Sequence, residues 1–449
     1  MRQNFLGLAD KILEQFSQAD DLIHHDIKYN GETVTLYFLK SIANEDSITR
    51  LFIKPFFEVG NLNEYCSYIR SLTIFKEFKD EDEVLQALSI GHLLVKVHYQ
   101  YFLFDTKNVK NNVILETAVE TTVHGPHTAF SEDFETNLNM IRHRYHEPKL
   151  AIEIDKIGKR NDVNMVLIYD PTYVNPNTLD AIKTDLKNLD KSLIISVGQL
   201  QKYMNKKSKA LLPTTLLTER PDRTIFAIEK GKVVVMIDGS PFVLIAPAIF
   251  YDFMSAMDDI YQFFWATMFI RLLRYGGLFL TLLLPGLYVA VTSYNTEVFR
   301  VQLALSIASS RVGVPYPSFI EVLFMLLMME FLIEASLRLP KTISSTATMV
   351  GGLILGQAAT EAVLISNIMI IIVAAVAIAN FVIPINEMSV AIRVLKYVLL
   401  FTASIGGLMG LTLGFVMILF YFIQVDSYGE PYLKVMYEKK EKSVKGESA

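Results

Sequence analysis

The chain has 449 residues, a hydrophobic share of 51% and 42 Lys and Arg against 47 Asp and Glu, for a net charge of −5. That balance gives no basis for nucleic-acid binding, and a lone cysteine, Cys66, excludes an intrachain disulfide and a cysteine-rich zinc site. The length allows two domains, and the apolar residues are shared unevenly: up to about residue 240 the sequence is charged, and from Tyr275 onward apolar runs dominate.

The opening run MRQNFLGLADKILEQF is amphipathic, broken by Asp10, Lys11 and Glu14, and lacks the continuous apolar core of a secretory signal. The head is therefore expected to stay in the cytoplasm. Runs 27–29 and 32–37 flank Asn30-Gly31, a hairpin signal because both central residues of a type I′ turn need positive φ. Residues 92–105 begin as an alternating strand, and 130–145 carry Phe134, Leu138 and Ile141 on one helical stripe. A strand at 165–169, a helix at 177–189 and a strand at 193–196 suggest a βαβ unit with a parallel pair. Two small α/β subdomains, 1–147 and 148–240, are the economical reading.

The head has no glycine-rich phosphate loop and no GxSxG turn, so neither an enzyme nor a cofactor is expected. His124/His127 and His143/His146 are each three apart, but without a cysteine or a third ligand nearby they read as solvated or hydrogen-bonded rather than metal-binding. Arg142, His143, Arg144 and His146 form either an anion patch or a solvated helix face.

Segment 241–275 is crowded with aromatics (Phe250, Tyr251, Phe253, Tyr261, Phe263, Phe264, Trp265) and ends with Arg271 and Arg274. It reads as an interfacial helix, with packing against the head as the alternative. Runs 277–294 and 398–425 hold no charge, and a spanning helix needs about 20 mostly apolar residues. Region 276–425 is thus expected to hold about four spans plus a re-entrant segment. The spans are 276–294, kinked at Pro285-Gly286, then 318–336, 362–383 and 398–425; the short glycine-rich run 349–357 re-enters. Gly406-Gly407 and Gly410 permit close helix contact. Arg271, Arg274, Arg338, Lys341 and the lysines of a basic tail at 426–449 (Lys434, Lys439, Lys440, Lys442, Lys445) then share a side with the head, and Arg300, Arg311, Arg393 and Lys396 lie opposite. That excess puts head and tail inside.

Span two carries Glu321, Glu330 and Glu334, and carboxylates at such depth face a bundle interior or water. In a ring of copies they would attract cations, and apolar neighbours could gate by dewetting. Candidate pore residues are Ser318, Glu321, Val322, Met325, Met329, Glu330, Glu334, Gln357 and Glu361. The alternative is that the glutamates pair with Arg311, Arg338 or a partner subunit and only hold the bundle together. A secondary transporter and a non-conducting signalling receptor are the rival classes.

Motifs recur in order along most of this chain. Gly125-Pro126, Phe130, the run EDFETNL (132–138) and Ile141-Arg142-His143-Arg144 come first. Thr218-Glu219-Arg220-Pro221-Asp222-Arg223, GKVVVMIDGSP (231–241), PGLYVA (285–290), RVGVPYP (311–317), Arg338-Leu339-Pro340 and Gly356-Gln357-Ala358-Ala359 follow. This series resembles the GerA family of spore-germination receptor A subunits over roughly 120–425. The resemblance implies an α+β/α membrane protein: two small α/β cytoplasmic subdomains followed by an α-helical polytopic membrane domain. It also implies a nutrient-responsive complex in the spore inner membrane, with head and tail on the core side and with transporter-like B and lipoprotein C subunits. The A subunit would oligomerise into a channel releasing monovalent cations; an accessory protein of the same family without nutrient specificity is the alternative. Glu219, Arg220, Asp222 and Arg223 alternate in sign beside the stiff Pro221, and are expected to couple head to spans through salt bridges, against the bland reading of a solvated linker.

Overall fold

The structure, a computed structural model, describes residues 7–108, 115–189, 193–204, 211–298 and 300–434, with backbone alone for 341–348 and 355. Lys439, Lys440, Lys442 and Lys445 lie outside the described residues.

Two antiparallel five-stranded sheets organise the head. In the first, Leu22–Tyr29 and Glu32–Leu39 form the expected hairpin, with positive φ at both Asn30 and Gly31. Residues 92–105 are not one strand: the chain reverses at His98, itself at positive φ, between strands His92–Val97 and Gln100–Asp105. Side chains alternate across this sheet as its pleat dictates. Val34, Leu36, Val95 and Phe104 meet helices between 45 and 71, whereas Tyr37, Leu39, Leu94 and Leu103 meet Leu8, Ile12 and Leu88 from helices Leu8–Gln15 and Glu81–Ile90.

The second sheet runs Leu216–Thr218, Val243–Ala246, Val233–Ile237, Val163–Tyr169, Ala151–Ile157 in spatial order. The expected βαβ unit is absent: 193–196 form no strand, and Val163–Tyr169 pairs antiparallel with Val233–Ile237. Ile194 is buried, but the chain goes from it straight into helix Val197–Met204, leaving too short a run to extend the sheet. One face, with Met165, Leu167, Val233, Val235 and Leu244, lies under helices Pro176–Lys187 and Val197–Met204. The other, with Ile152, Val166, Ile168, Val234 and Ile245, packs on Leu138, Ile141 and Ile228. Helix Phe134–Arg142, assigned with 1–147 from sequence, therefore packs with the second sheet.

That second core does not stop at the head. It runs through Phe253, Met254 and Tyr432 into Leu278, Leu282, Met388, Ile392 and Phe422 of the long helices. Segment 246–274 is not one interfacial helix; it breaks into Phe250–Met254 and Asp258–Tyr261 before helix Phe264–Ser293 begins. Asp252 and Asp259 hold the breaks, the first accepting from the Ile249 amide at 2.8 Å and the second pairing with Arg274 at 2.7 Å. Phe253 is buried against the head while Phe263, Phe264 and Trp265 are exposed.

Phe264–Ser293 and the apolar stretch Asn386–Gln424 are long and apolar enough to cross a membrane, the latter interrupted at Gly407, and Asn367–Phe381 is a shorter apolar helix. The helices run up and down beside one another. Ser293 meets Ser318 at the end far from the head, where the acidic helix Ser318–Arg338 begins. The glycine-rich segment is not a short re-entrant loop but lies within the 21-residue helix Lys341–Glu361, about 31 Å long. It runs back along the acidic helix, with Gly352 beside Leu332 and Ala359 sharing a cluster with Val322 and Leu326. Asn367–Phe381 returns to the head, where Asn380 meets Ser389 at 3.2 Å.

The last element corrects the expected single span at 398–425. Gly407 (φ 58°, ψ −137°) breaks helix Asn386–Gln424. A Cβ on Gly410 would lie 2.1 Å from the Thr402 carbonyl oxygen, and one on Gly414 3.0 Å from Leu399 Cδ2. Along a straight helix residues 399 and 414 stand about 22 Å apart. The chain thus folds back on itself as a helical hairpin, whose turn touches Tyr294 at the far end. It returns to the head, where Phe422 packs on Phe250. Six antiparallel traverses result among the described residues. Residues 425–434, the described part of the expected tail, form a strap: Ser427 Oγ donates to the Thr214 carbonyl at 2.8 Å, and the Phe250 amide donates to the Tyr432 carbonyl at 2.9 Å.

Candidate functional site

Two polar assemblies stand out, one between head and helices and one within the helices. Strand Leu216–Thr218 delivers the first, and Pro221 opens helix Pro221–Glu229 where its missing N–H costs nothing. Glu219, Arg220, Asp222 and Arg223 are all buried, so this box is not a solvated linker. Arg220 forks onto Asp222 (Nε–Oδ1 3.0 Å, Nη2–Oδ2 2.7 Å). Its remaining donors reach the Glu120 carbonyl (2.8 Å), Thr122 Oγ1 (3.1 Å) and the Pro126 carbonyl (2.9 Å). Glu219 accepts from the amides of Val119 (2.6 Å) and Glu120 (2.9 Å). Arg223 pairs with Glu120 at 2.7 Å and donates to the Asp252 and Ser255 carbonyls.

From there the network reaches the long helix. Tyr261 donates to Asp222 Oδ2 at 2.9 Å, and burial, then this bond, push its phenol up to about 12. Gly125 sits against the same ring, where a Cβ would come within 2.7 Å of Tyr261 Cε2. Asp259, two residues before Tyr261, binds Arg271 (3.1 Å) and Arg274 (2.7 Å) in the first turns of Phe264–Ser293. Beneath lies Lys232, buried and paired with Asp252 at 2.6 Å; burial pushes its ammonium down and Asp252 opposes this. Gly125-Pro126, the segment from Asp259 to Tyr261 and the run from Glu219 to Asp222, separate in sequence, meet at one place.

In the helical half the three glutamates of Ser318–Arg338 have three different environments. Glu321 is buried, accepting from the Ser366 amide and hydroxyl at 2.7 Å and pairing with Arg311 at 3.3 Å. Glu330 holds Arg393 (2.8 Å) and Lys396 (2.9 Å) together. These two cations therefore belong inside the bundle and not to a far-side loop, because their segment is helical from Asn386 on. Glu334 is exposed and, among the described residues, pairs with its i+4 neighbour Arg338 at 2.6 Å. Ser318, Val322 and Met325 are buried and Met329 is half-buried within this chain's own packing, whereas Gln357 and Glu361 are exposed. Glu330 and Glu334, although four residues apart on one helix, are thus separated in environment.

Arg142, grouped from the sequence with an anion patch or a solvated helix face, is instead fully buried in a forked pair with Asp21 (Nη2–Oδ1 2.8 Å); sequence reasoning missed that pair and the Glu330 cluster. The i, i+3 spacing of Arg393 and Lys396, which sets two cations on one helix face, was the available signal for the cluster. Nothing local marked Asp21 as the partner of a residue 121 positions away. No group of three or more potential metal ligands is found among the described residues.

Residues 10–447 match the model of the Bacillus/Clostridium GerA spore germination protein family. Spore germination protein A1 of Bacillus subtilis is 34% identical over 94% of this chain and 88% of its own length. Spore germination protein KA of the same organism is 32% identical over 95% and 81%. The uncharacterized membrane protein YfkQ, also from Bacillus subtilis, is 33% identical over 95% and 83%. The N-terminal domain of the A subunit of the Bacillus megaterium spore germinant receptor GerK3 superposes with a TM-score of 0.43 at 22% identity, covering 54% of this chain and 94% of that one.

Proposed function

The chain belongs to the GerA family of spore-germination receptor A subunits, and from that premise we propose that it forms, with further copies, a cation-conducting path through the spore inner membrane. Partner subunits of the transporter-like B and lipoprotein C types would complete a nutrient-responsive complex around it. The six traverses are read as membrane crossings, an even number that leaves head and strap on one side. Arg271, Arg274, Arg338, Lys341 and Lys434 lie on that side, against Arg300 and Arg311 at the far end, which favours the core side for the head. Moving Arg393 and Lys396 into the bundle sharpens this asymmetry.

One observation carries the conducting reading: Glu334 is an exposed carboxylate, paired with the likewise exposed Arg338 at 2.6 Å, on a helix face that also presents Phe331 and Leu337. An ion pair facing lipid there would be costly, whereas one facing water between copies is not. The hairpin of Ser318–Arg338 and Lys341–Glu361, which also exposes Gln357 and Glu361, is the face that neighbouring copies would share. Glu321 and Glu330, whose ion pairs lie inside the chain's own packing, hold the bundle together. Glu334→Gln should change cation current or selectivity of the purified complex in planar bilayers while leaving its thermal midpoint unmoved. Glu330→Gln should instead destabilise by about 3–5 kcal/mol, because two partly buried cations lose their shared carboxylate. Unaltered conduction in Glu334→Gln would remove Glu334 from the path.

A further inference from the structure

Between the head and the start of Phe264–Ser293 lies a cavity of about 90 Å³. One water occupies on the order of 10–15 Å³ by this measure, so there is room for several waters or one phosphate-sized group. Arg223, Lys230, Lys232 and Arg271 line it, against Asp252 and Asp259. Two further groups pair with this lining, Arg274 with Asp259 and Glu120 with Arg223. They cancel, and with the Glu387 carboxylate also near Arg223 the surroundings keep an excess of at least one positive charge. Two guanidiniums share the single carboxylate of Asp259, and Lys230 is exposed at the rim.

The surroundings say which anion this place meets. Helix Phe264–Ser293 has 30 residues and is about 45 Å long, roughly 15 Å more than the hydrocarbon core of a bilayer. Its first ten residues therefore fall in the headgroup zone. Those residues and Phe263 before them present Trp265, Met268, Phe269 and Leu272 to the outside, with Phe263 itself 90% exposed. Arg271 leans over the Tyr251 ring at 5.5 Å, its stem along apolar surface and its head at the cavity.

We propose that this cavity binds the phosphate of an anionic phospholipid, whose acyl chains lie along the aromatic start of the long helix. The proposal rests on reading Phe264–Ser293 as a membrane crossing. It makes lipid charge a ligand of the junction, because Arg271 and Arg223 belong to the network that joins Asp222 to the helix.

The test is native mass spectrometry of the full-length protein released from nanodiscs containing equal phosphatidylglycerol and phosphatidylcholine. Phosphatidylglycerol should be retained in preference, and Lys230→Gln with Arg271→Gln should lower its retention by about thirtyfold, the loss expected for two surface cations. Lys230→Gln alone, at an exposed position, should lower it by about fivefold and guards against misfolding of the double variant. Lys230→Arg with Arg271→Lys should keep it. Equal retention of both lipids, indifference to the variants, or displacement of the lipid by millimolar inorganic phosphate would overturn the lipid site. Release of the chain from membranes by alkaline carbonate would overturn the membrane reading, and the site with it; firm anchoring with no lipid preference would overturn the site alone.

Discussion

Arg220 is fully buried and ionised, which is tolerable only because every donor on its fork has an acceptor. Removing it strands Asp222 in the same dry place. Arg220→Ala should therefore cost about 3–5 kcal/mol in chemical unfolding of the full chain, and Arg220→Lys should recover little, since a point charge cannot reproduce the fork. Tyr261, which shares Asp222, adds a pH signature. Its phenol titrates near 12 when folded, against about 10 when unfolded, so the folded state holds the proton longer. Stability from this group is present below pH about 10 and is lost as pH rises to about 12. Tyr261→Phe should flatten that alkaline decline in a pH series of thermal midpoints; an identical decline in both proteins would show that the phenol is not coupled to folding. The charges of this box were legible in the sequence as salt-bridge material. Their partners were not, because Glu120 and Thr122 lie about 100 residues upstream and no local periodicity reports a contact of that range.

The helical hairpin shows the same limit at the level of an element. Segment 386–424 stays apolar through the reversal, so a hydrophobicity pattern sees one long span; only the Gly406-Gly407 pair marks the turn. The two glycines make opposite predictions. Gly407 sits at positive φ, and a Cβ there would come 2.8 Å from Tyr294 Cβ, so Gly407→Ala should lose about 1–3 kcal/mol for the backbone alone, with the clash added. Gly406 is helical and open, and Gly406→Ala should be neutral or stabilising by about 0.5–1 kcal/mol. Thermal unfolding in detergent of the two single variants checks both, and similar midpoints would dispose of the turn at Gly407. Elsewhere, short-range signals served well. Asn30-Gly31 specified its hairpin because positive φ at two successive residues is a local requirement. The supposed βαβ unit failed because strand–helix–strand order does not say which strand will be the neighbour. Strand Val163–Tyr169 instead pairs antiparallel with the adjacent Ala151–Ile157 on one side and the distant Val233–Ile237 on the other, which leaves no edge for a parallel partner.

At the scale of the whole molecule, head and helices share one core and are joined twice, through Phe250–Met254 at the start of the helices and through the 425–432 strap at their end. Any shift of the second sheet therefore moves the first and last long helices together. The number of traverses decides where each loop lies, and the six-traverse arrangement differs from the four-span reading at identifiable positions. With a re-entrant 349–357, residue 362 would lie on the head side and residue 386 opposite. In the structure Ala362 lies near the far end, in the turn between Glu361 and the Ser366 that caps the next helix, and Asn386 opens the hairpin beside the head. Both positions are exposed. Cys66 is the only thiol, so a Cys66→Ser chain is a clean background for single-cysteine labelling. Ala362→Cys and Glu297→Cys should react with an impermeant thiol reagent from the side opposite the head, and Asn386→Cys and Asp426→Cys from the head side. The reverse pattern at 362 and 386, with 297 and 426 unchanged, would restore the re-entrant segment. It would also dismantle the antiparallel packing of Gly352 on Leu332 from which the exposed Glu334 face is built.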